Sequence, residues 1–245
     1  MKIKKKYTII GDVHGREEWG EVANGALLAG RHVVFVGDYV DSFDIGATMI
    51  KMNLEAIINL KKLHPDDVTL LIGNHDWAYI YNEMGISGFQ HAHWHEYKQM
   101  FEENLELFDI AYGYTGSDGK YTLMSHAGLT YGFYTGTILP RIKGDIAPPW
   151  KPGEVTIDTP LHEILNKMKG NNLLWKVGEM RGGWGTPGPL WADYLELLDD
   201  PYPGINQVFG HTATGTVSVT NSGGDMLVKV DGWYNKKLAH IAIDL

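Results

Sequence analysis

Asp12 and His14 stand two residues apart in Gly-Asp-Val-His-Gly, directly after the apolar run Tyr7–Ile10. Side chains at i and i+2 of an extended chain point the same way, so a carboxylate and an imidazole here can converge just beyond a strand end. The flanking glycines let the backbone turn sharply and approach a ligand closely. Taken alone, the stretch reads equally well as a loop with a helix cap. The pattern returns, however, at Gly37-Asp38-Tyr39-Val40-Asp41, Gly73-Asn74-His75-Asp76, Ser125-His126-Ala127-Gly128 and Gly210-His211-Thr212. Each of these follows a short apolar run and delivers an oxygen or imidazole donor. Coincidence accounts for one such junction and not for the whole series. Oxygen and imidazole donors without thiolate suit Mn²⁺, Zn²⁺ or Fe better than Ca²⁺ or a sulfur cluster. Six such donors are too many for one catalytic ion that must keep an open position, so two divalent ions are expected.

The elements that must carry these loops follow from periodicity. Tyr7–Ile10, His32–Val36 and Val68–Ile72 are short β-branched runs, and Glu17–Leu28 and Thr48–Leu63 have helical spacing, with Met49, Met52, Ala56 and Leu60 on one stripe. This βαβαβ order predicts a parallel sheet covered by helices, with functional loops at the carboxyl ends of the strands. Trp77–Leu107 reads as helical, Ile110–Tyr114 and Tyr121–Met124 as strands, and Thr130–Tyr202 as long loops and short helices around the site. Strands are expected again at Gln207–Phe209, Thr214–Val219, Met226–Val230 and Leu238–Ile243. The expectation is a single domain over residues 1–245, with a loop-rich and helical insertion around 77–110 and 130–202 near the active site.

Bulk properties agree. With 245 residues and 44% hydrophobic content, the chain can bury a substantial core. A formal charge of −9 argues against a broad electropositive footprint, so stable nucleic-acid binding is not expected. Bound cations can still reverse the local field for a phosphate substrate. The chain has no cysteine, which excludes disulfides and thiolate metal sites. The basic start is followed by too short an apolar run for a secretory signal, and no run approaches a transmembrane length. No membrane association and a cytoplasmic location are therefore expected.

The blocks GDVHG, GDYVDS, GNHD, SHAGL and GHT resemble the calcineurin-like metallophosphoesterases, and within them the serine/threonine phosphoprotein phosphatase branch with its bacterial and phage relatives. The stretch VDGWYNKKLAHIAID is similar to that family's closing hairpin. The resemblance implies an α/β fold of two packed, mixed β-sheets flanked by helices. It implies that Asp12 and His14 hold the first metal, that Asp38 bridges both, and that Asn74, His126 and His211 complete the second. It makes His75 the acid that protonates the leaving oxygen, with Asp41 orienting it, a chemistry suited to imidazole near neutral pH. The implied enzyme is a dinuclear phosphoesterase, most simply with Mn²⁺, in which the ions activate a hydroxide and neutralise phosphoryl charge. Its substrate would be a phosphorylated protein or a small phosphoester, with phosphomonoesters such as phosphoserine or phosphothreonine first. The alternatives are a symmetrical dinucleoside-polyphosphate hydrolase or a phosphodiesterase, and, outside enzymes, a module that binds phosphorylated ligands.

Departures from the family pattern bear on substrate. Ser42 follows Asp41 where an arginine is usual, and Pro-Leu-Trp-Ala-Asp-Tyr has no second one. The bidentate grip that guanidinium gives phosphate must come from Arg181, Arg141 or a lysine, or be missing. Arg181 is the candidate substrate-binding residue. Gly210-His211-Thr212-Ala213 lacks the second histidine of the GHxH usual in the superfamily's nucleases and cyclic phosphodiesterases, which points to the phosphatase branch and is also similar to the symmetrical dinucleoside-polyphosphate hydrolases. His91, His93 and His95 do not share one helix face and read as surface or lid packing. Trp184 and Trp191 suit a cleft lining or ordinary packing, and the opening lysines suit a solvated strand edge.

Overall fold

A computed structural model describes residues 5–83, 85–213, 215–231 and 238–245. The chain groups into two compact units, one of Met1–Asp109, Ala213–Val217 and Val230–Leu245, the other of Ile110–Thr212 and Ser218–Lys229. Each unit carries a mixed five-stranded sheet, so the chain has the α/β architecture expected.

In the first unit β1 (Lys6–Ile10), β2 (His32–Phe35), β3 (Val68–Leu71) and β4 (Phe108–Asp109) run parallel in that order. Their apolar runs are fully buried because helices cover such strands. The crossovers are α1 (Trp19–Leu28) and α2 (Ala47–Leu63), followed by α3 (Asn74–Tyr81) and α4 (Trp94–Glu102). The buried face of α2 is Ile50, Asn53, Leu54, Ile57, Ile58 and Leu60. The predicted stripe is therefore rotated: Met49 and Met52 are 41% and 56% exposed, and only Leu60 of that set is buried. The branched isoleucines face the core, and Asn53 travels with them because its amide bridges Gly15 O and Trp19 Nε1, both at 2.9 Å. The continuous helix expected over 77–107 is broken into α3 and α4, with glycines at 85 and 88 in the turns between them.

The second unit holds β5 (Ala111–Thr115), β6 (Tyr121–Ser125), β7 (Asn206–Phe209), β8 (Ser218–Ser222) and β9 (Asp225–Lys229), ordered β5-β6-β7-β9-β8. Between β6 and β7 come the short helices α5 (Tyr131–Phe133), α6 (Leu139–Lys143), α7 (Leu161–Lys167) and α8 (Tyr194–Asp199), as the Gly/Pro-rich composition predicts. The pairs β6/β7 and β7/β9 are parallel and the outer pairs antiparallel. The strand expected from Thr214 begins at Ser218, and Thr214 itself lies outside the described residues.

The remaining strand, β10 (His240–Asp244), returns to the first unit and pairs antiparallel with β1, Ile9 opposite Ile241. Of the opening lysines expected on a solvated strand edge, Lys5 and Lys6 are exposed, although β10 pairs with β1 beside them, and Lys2 and Lys4 lie outside the described residues. Of the hairpin read in VDGWYNKKLAHIAID, residues 232–237 lie outside the described residues. Among the described residues no helix is long and apolar enough to cross a membrane.

Candidate active site

In the first unit the exits of three parallel neighbours meet. The loop after β1 lies on the loop after β2: Val13 N and His14 N both donate to Asp38 O, at 3.1 and 2.7 Å, and Gly15 N donates to Tyr39 O. The loop after β2 lies in turn on the loop after β3. A Cβ at Gly73 would come within 2.1 Å of Asp38 Oδ1, so only glycine permits that approach. His75 N donates to Asp38 Oδ1 at 2.9 Å. The predicted residues Asp12, His14, Asp38, Asp41, Asn74 and His75 are thus gathered at one end of one sheet.

Backbone strain marks the same positions. Among the described residues the non-glycines with positive φ are His14 (45°), Asp38 (53°), Asp41 (62°), Asn82 (65°) and His211 (66°). Asn82 is the C-cap of α3, where that conformation is ordinary. The other four are predicted site residues, and side chains are held in this region only when their surroundings over-determine them.

His14 has the orientation of a metal ligand. Its Nδ1 meets Val40 O at 3.0 Å and Asp41 O at 2.9 Å, which fixes the proton there and leaves the Nε2 lone pair turned the other way, 3.7 Å from Asp38 Oδ2. Burial, reinforced by nearby His75, lowers its pKa to about 3, so the imidazole is neutral and able to ligate. Asp38 is 2% exposed; burial and then the charge of Asp12 push its pKa well above the usual carboxylate range. Packed carboxylates with a neutral imidazole among them fit a divalent cation, which would offset the repulsion. Ligand atoms of His14, Asp38 and His75 all lie within 4.8 Å of one another.

His75 and Asp41 form the expected dyad, with Nδ1 2.8 Å from Asp41 Oδ2. Burial lowers the His75 pKa to about 4. Burial raises that of Asp41 to about 7, opposed by a hydrogen bond from the Tyr79 hydroxyl to Asp41 Oδ1. Gln90 N donates to the Tyr79 oxygen at 2.7 Å. Tyr79 was not singled out from the sequence, yet it lies four residues after His75 and so one helical turn along α3.

Asp76 is the larger omission. Fully buried, it accepts from Asp38 N (2.8 Å), Gly73 N (2.9 Å) and Tyr39 N (2.9 Å), tying two of the loops together. Burial raises its pKa to about 7 against the pull of those donors. A carboxylate three residues after a glycine helix start was the available signal. Asp76→Asn places an NH₂ against one of these N–H groups and should cost about 1–3 kcal/mol, read as a lower urea midpoint with unchanged m. Arg16, also not singled out, is 5% exposed, donates to Val13 O at 3.2 Å and lines a cavity of about 370 Å³ with Glu17, Glu18 and Asp44. Ser42, in the place of the family arginine, bonds Asp44 at 2.9 Å.

In the second unit the exits of β6 and β7 bring His126 and His211 together. His126 Nε2 and His211 Nδ1 are 3.1 Å apart, and Gly210 N donates to His126 O at 2.7 Å. Trp191 meets His211 edge-on at 5.5 Å, whereas Trp184 is 94% exposed. Arg181, 29% exposed, reaches Thr212 Oγ1 and Asp193. Arg141 Nη1 donates to Thr137 O at 2.6 Å. His91 and His95 are exposed and His93 half-buried, as surface packing predicts.

A family model of calcineurin-like phosphoesterases matches residues 5–215, and the chain belongs to that family of metal-dependent phosphoester hydrolases. The match runs through both units in sequence. Among solved structures, the fold resembles a cold-active protein-tyrosine phosphatase of a psychrophile, Shewanella sp., with a TM-score of 0.53 and 15% identity, over 91% of this chain and 70% of the other.

Proposed function

We propose that the protein is a dinuclear phosphatase of phosphomonoesters, with Asp12 and His14 on one metal, Asp38 bridging, and Asn74, His126 and His211 completing the second. The reading supposes one catalytic domain over residues 1–245, working in the cytoplasm without a nucleic-acid or membrane partner. Mn²⁺ is the first choice for this oxygen and imidazole set, with Zn²⁺ or Fe next. When bound, the ions supply Lewis acidity and an activated water at neutral pH.

The residues of the chain do the rest. Val40 O and Asp41 O orient His14, and Asp76 clamps the loop that carries Asp38. Asp41 holds the His75 tautomer that keeps Nδ1 toward the carboxylate and turns Nε2 outward. With Nδ1–H held by Asp41, Nε2 carries a proton only in the imidazolium form, whose charge the buried carboxylate would offset; giving that proton to the leaving oxygen would return the ring to neutral imidazole. The dyad is the observation that carries a catalytic over a purely binding role, since a binder needs no oriented acid.

The test is a turnover screen with Mn²⁺ over p-nitrophenyl phosphate, its bis ester, dinucleoside polyphosphates, and peptides phosphorylated on serine, threonine or tyrosine. Tyrosine is included because the Shewanella neighbour is named for it. The highest kcat/KM is expected on a monoester. A preference for the bis ester or a dinucleotide would replace this reading with the diesterase or dinucleoside-polyphosphate one, and binding without turnover would make the protein a phospho-ligand module.

A further inference from the structure

His211 sits in a costly conformation. At φ 66° it is the centre of a three-residue turn closed by Thr212 N donating to Gly210 O at 2.8 Å. This hand of γ-turn is rare and strained, so something must hold it. On its upstream side Gly210 N is tied to His126 O. On the downstream side two donors converge on Thr212 Oγ1: Tyr194 N at 3.0 Å and Arg181 Nη2 at 3.0 Å. A hydroxyl oxygen has two lone pairs, and both are used.

Each donor is itself anchored. Tyr194 opens α8, whose N-cap Asp193 accepts from Leu195 N at 2.9 Å. Arg181 Nε lies 2.9 Å from Asp193 Oδ2, an ion pair whose N–H is not aligned on the oxygen. Glu196 accepts from Asp193 N at 2.8 Å and from Met180 N at 3.2 Å, fixing the turn that carries Arg181 to the first turn of α8. A Cβ at Gly178 would lie 2.3 Å from Glu196 Oε1, so a side chain there would displace the Glu196 carboxylate from its place against this turn.

We propose that Arg181 is a positioning residue for His211: through Thr212 it latches the strained turn in the form that presents the imidazole to a metal. The proposal rests on the dinuclear reading and needs no contact between Arg181 and phosphate. It differs from the substrate-binding role expected for Arg181 from sequence, and the two are separable by experiment.

The experiment is a calorimetric Mn²⁺ titration of the metal-free full chain, with bound metal counted by elemental analysis and KM measured on p-nitrophenyl phosphate. The variants are His211→Ala, Arg181→Ala, Arg181→Lys, Thr212→Val and Thr212→Ser. His211→Ala should lose one class of Mn²⁺ site. Arg181→Ala and Thr212→Val should weaken that same class by about 10–100-fold, leave the other class and KM unchanged, and regain kcat at high Mn²⁺. Thr212→Ser, which keeps the acceptor, should bind as the parent does, and Arg181→Lys should fall between. Should Arg181→Ala fail to fold, the Thr212 pair decides. Unchanged Mn²⁺ affinity in Thr212→Val would overturn the latch. Raised KM with unchanged Mn²⁺ affinity in Arg181→Ala would overturn it in favour of a phosphate grip. Intact Mn²⁺ binding in His211→Ala would remove the dinuclear reading itself, and the latch with it.

Discussion

Exhaustive chelation is expected to abolish turnover of p-nitrophenyl phosphate, and Mn²⁺ to restore it, because the activated water depends on the ions. The donors behind this expectation crowd together: burial, and then the charges of Asp12, Asp76 and Asp41, push the Asp38 pKa up. The ligand variants should be graded. Asp38→Ala removes the proposed bridge and should leave both sites poorly occupied, whereas Asn74→Ala removes one neutral donor from one site. Elemental analysis of the purified variants separates them, with Asp38→Ala holding the less metal of the two. Turnover that survives chelation would sink the metal-dependent mechanism, and equal metal content in the two variants would sink the bridging role.

His75→Asn should keep its metals and lose about 10²–10⁴-fold in kcat on alkyl phosphomonoesters, the range general acid catalysis supplies. The loss should shrink on p-nitrophenyl phosphate, whose leaving group departs without a proton. The measurement has a second use, because the His75 ring is close enough to His14 and Asp38 to ligate. Metal loss in His75→Asn would identify it as a ligand and leave the acid unassigned. Asp41→Asn should follow the same pattern more weakly, since it keeps the ring and alters the carboxylate that meets it, 2.8 Å away, and that also accepts from the Tyr79 hydroxyl.

The loops were legible because their demands are local. Two ligands at i and i+2 beside glycine are visible in five consecutive residues, and strand exits in an α/β sheet place them without knowledge of distant contacts. The parallel order β1, β2, β3 follows for the same reason. What supports those loops was less visible. Asp76 reaches Asp38 and Tyr39 across nearly forty positions, and Asn53 reaches Gly15 across a similar gap. Nothing in the neighbourhood of either residue announces its partner. The Met49 stripe on α2 was misplaced because periodicity alone cannot tell which of two adjacent apolar stripes meets the sheet. The latch on Thr212 needs Arg181, Asp193 and Tyr194 at once, and only the turn geometry makes them neighbours.

The pairing of β10 with β1 sets an order of events on the ribosome. The βαβαβ segment is synthesised early, and domains begin to organise from the N-terminal side as they emerge. The six predicted site residues of the first unit lie within it or just past its last strand, from Asp12 to His75. The outer side of β1 nevertheless stays bare until residues 240–244 arrive to pair with it. For that interval the nascent chain shows an open row of backbone donors and acceptors, a template for a second chain on the same polysome. A chain shortened before His240 keeps every one of those residues. Its failure would be edge-to-edge aggregation during expression, before any chemistry could be measured.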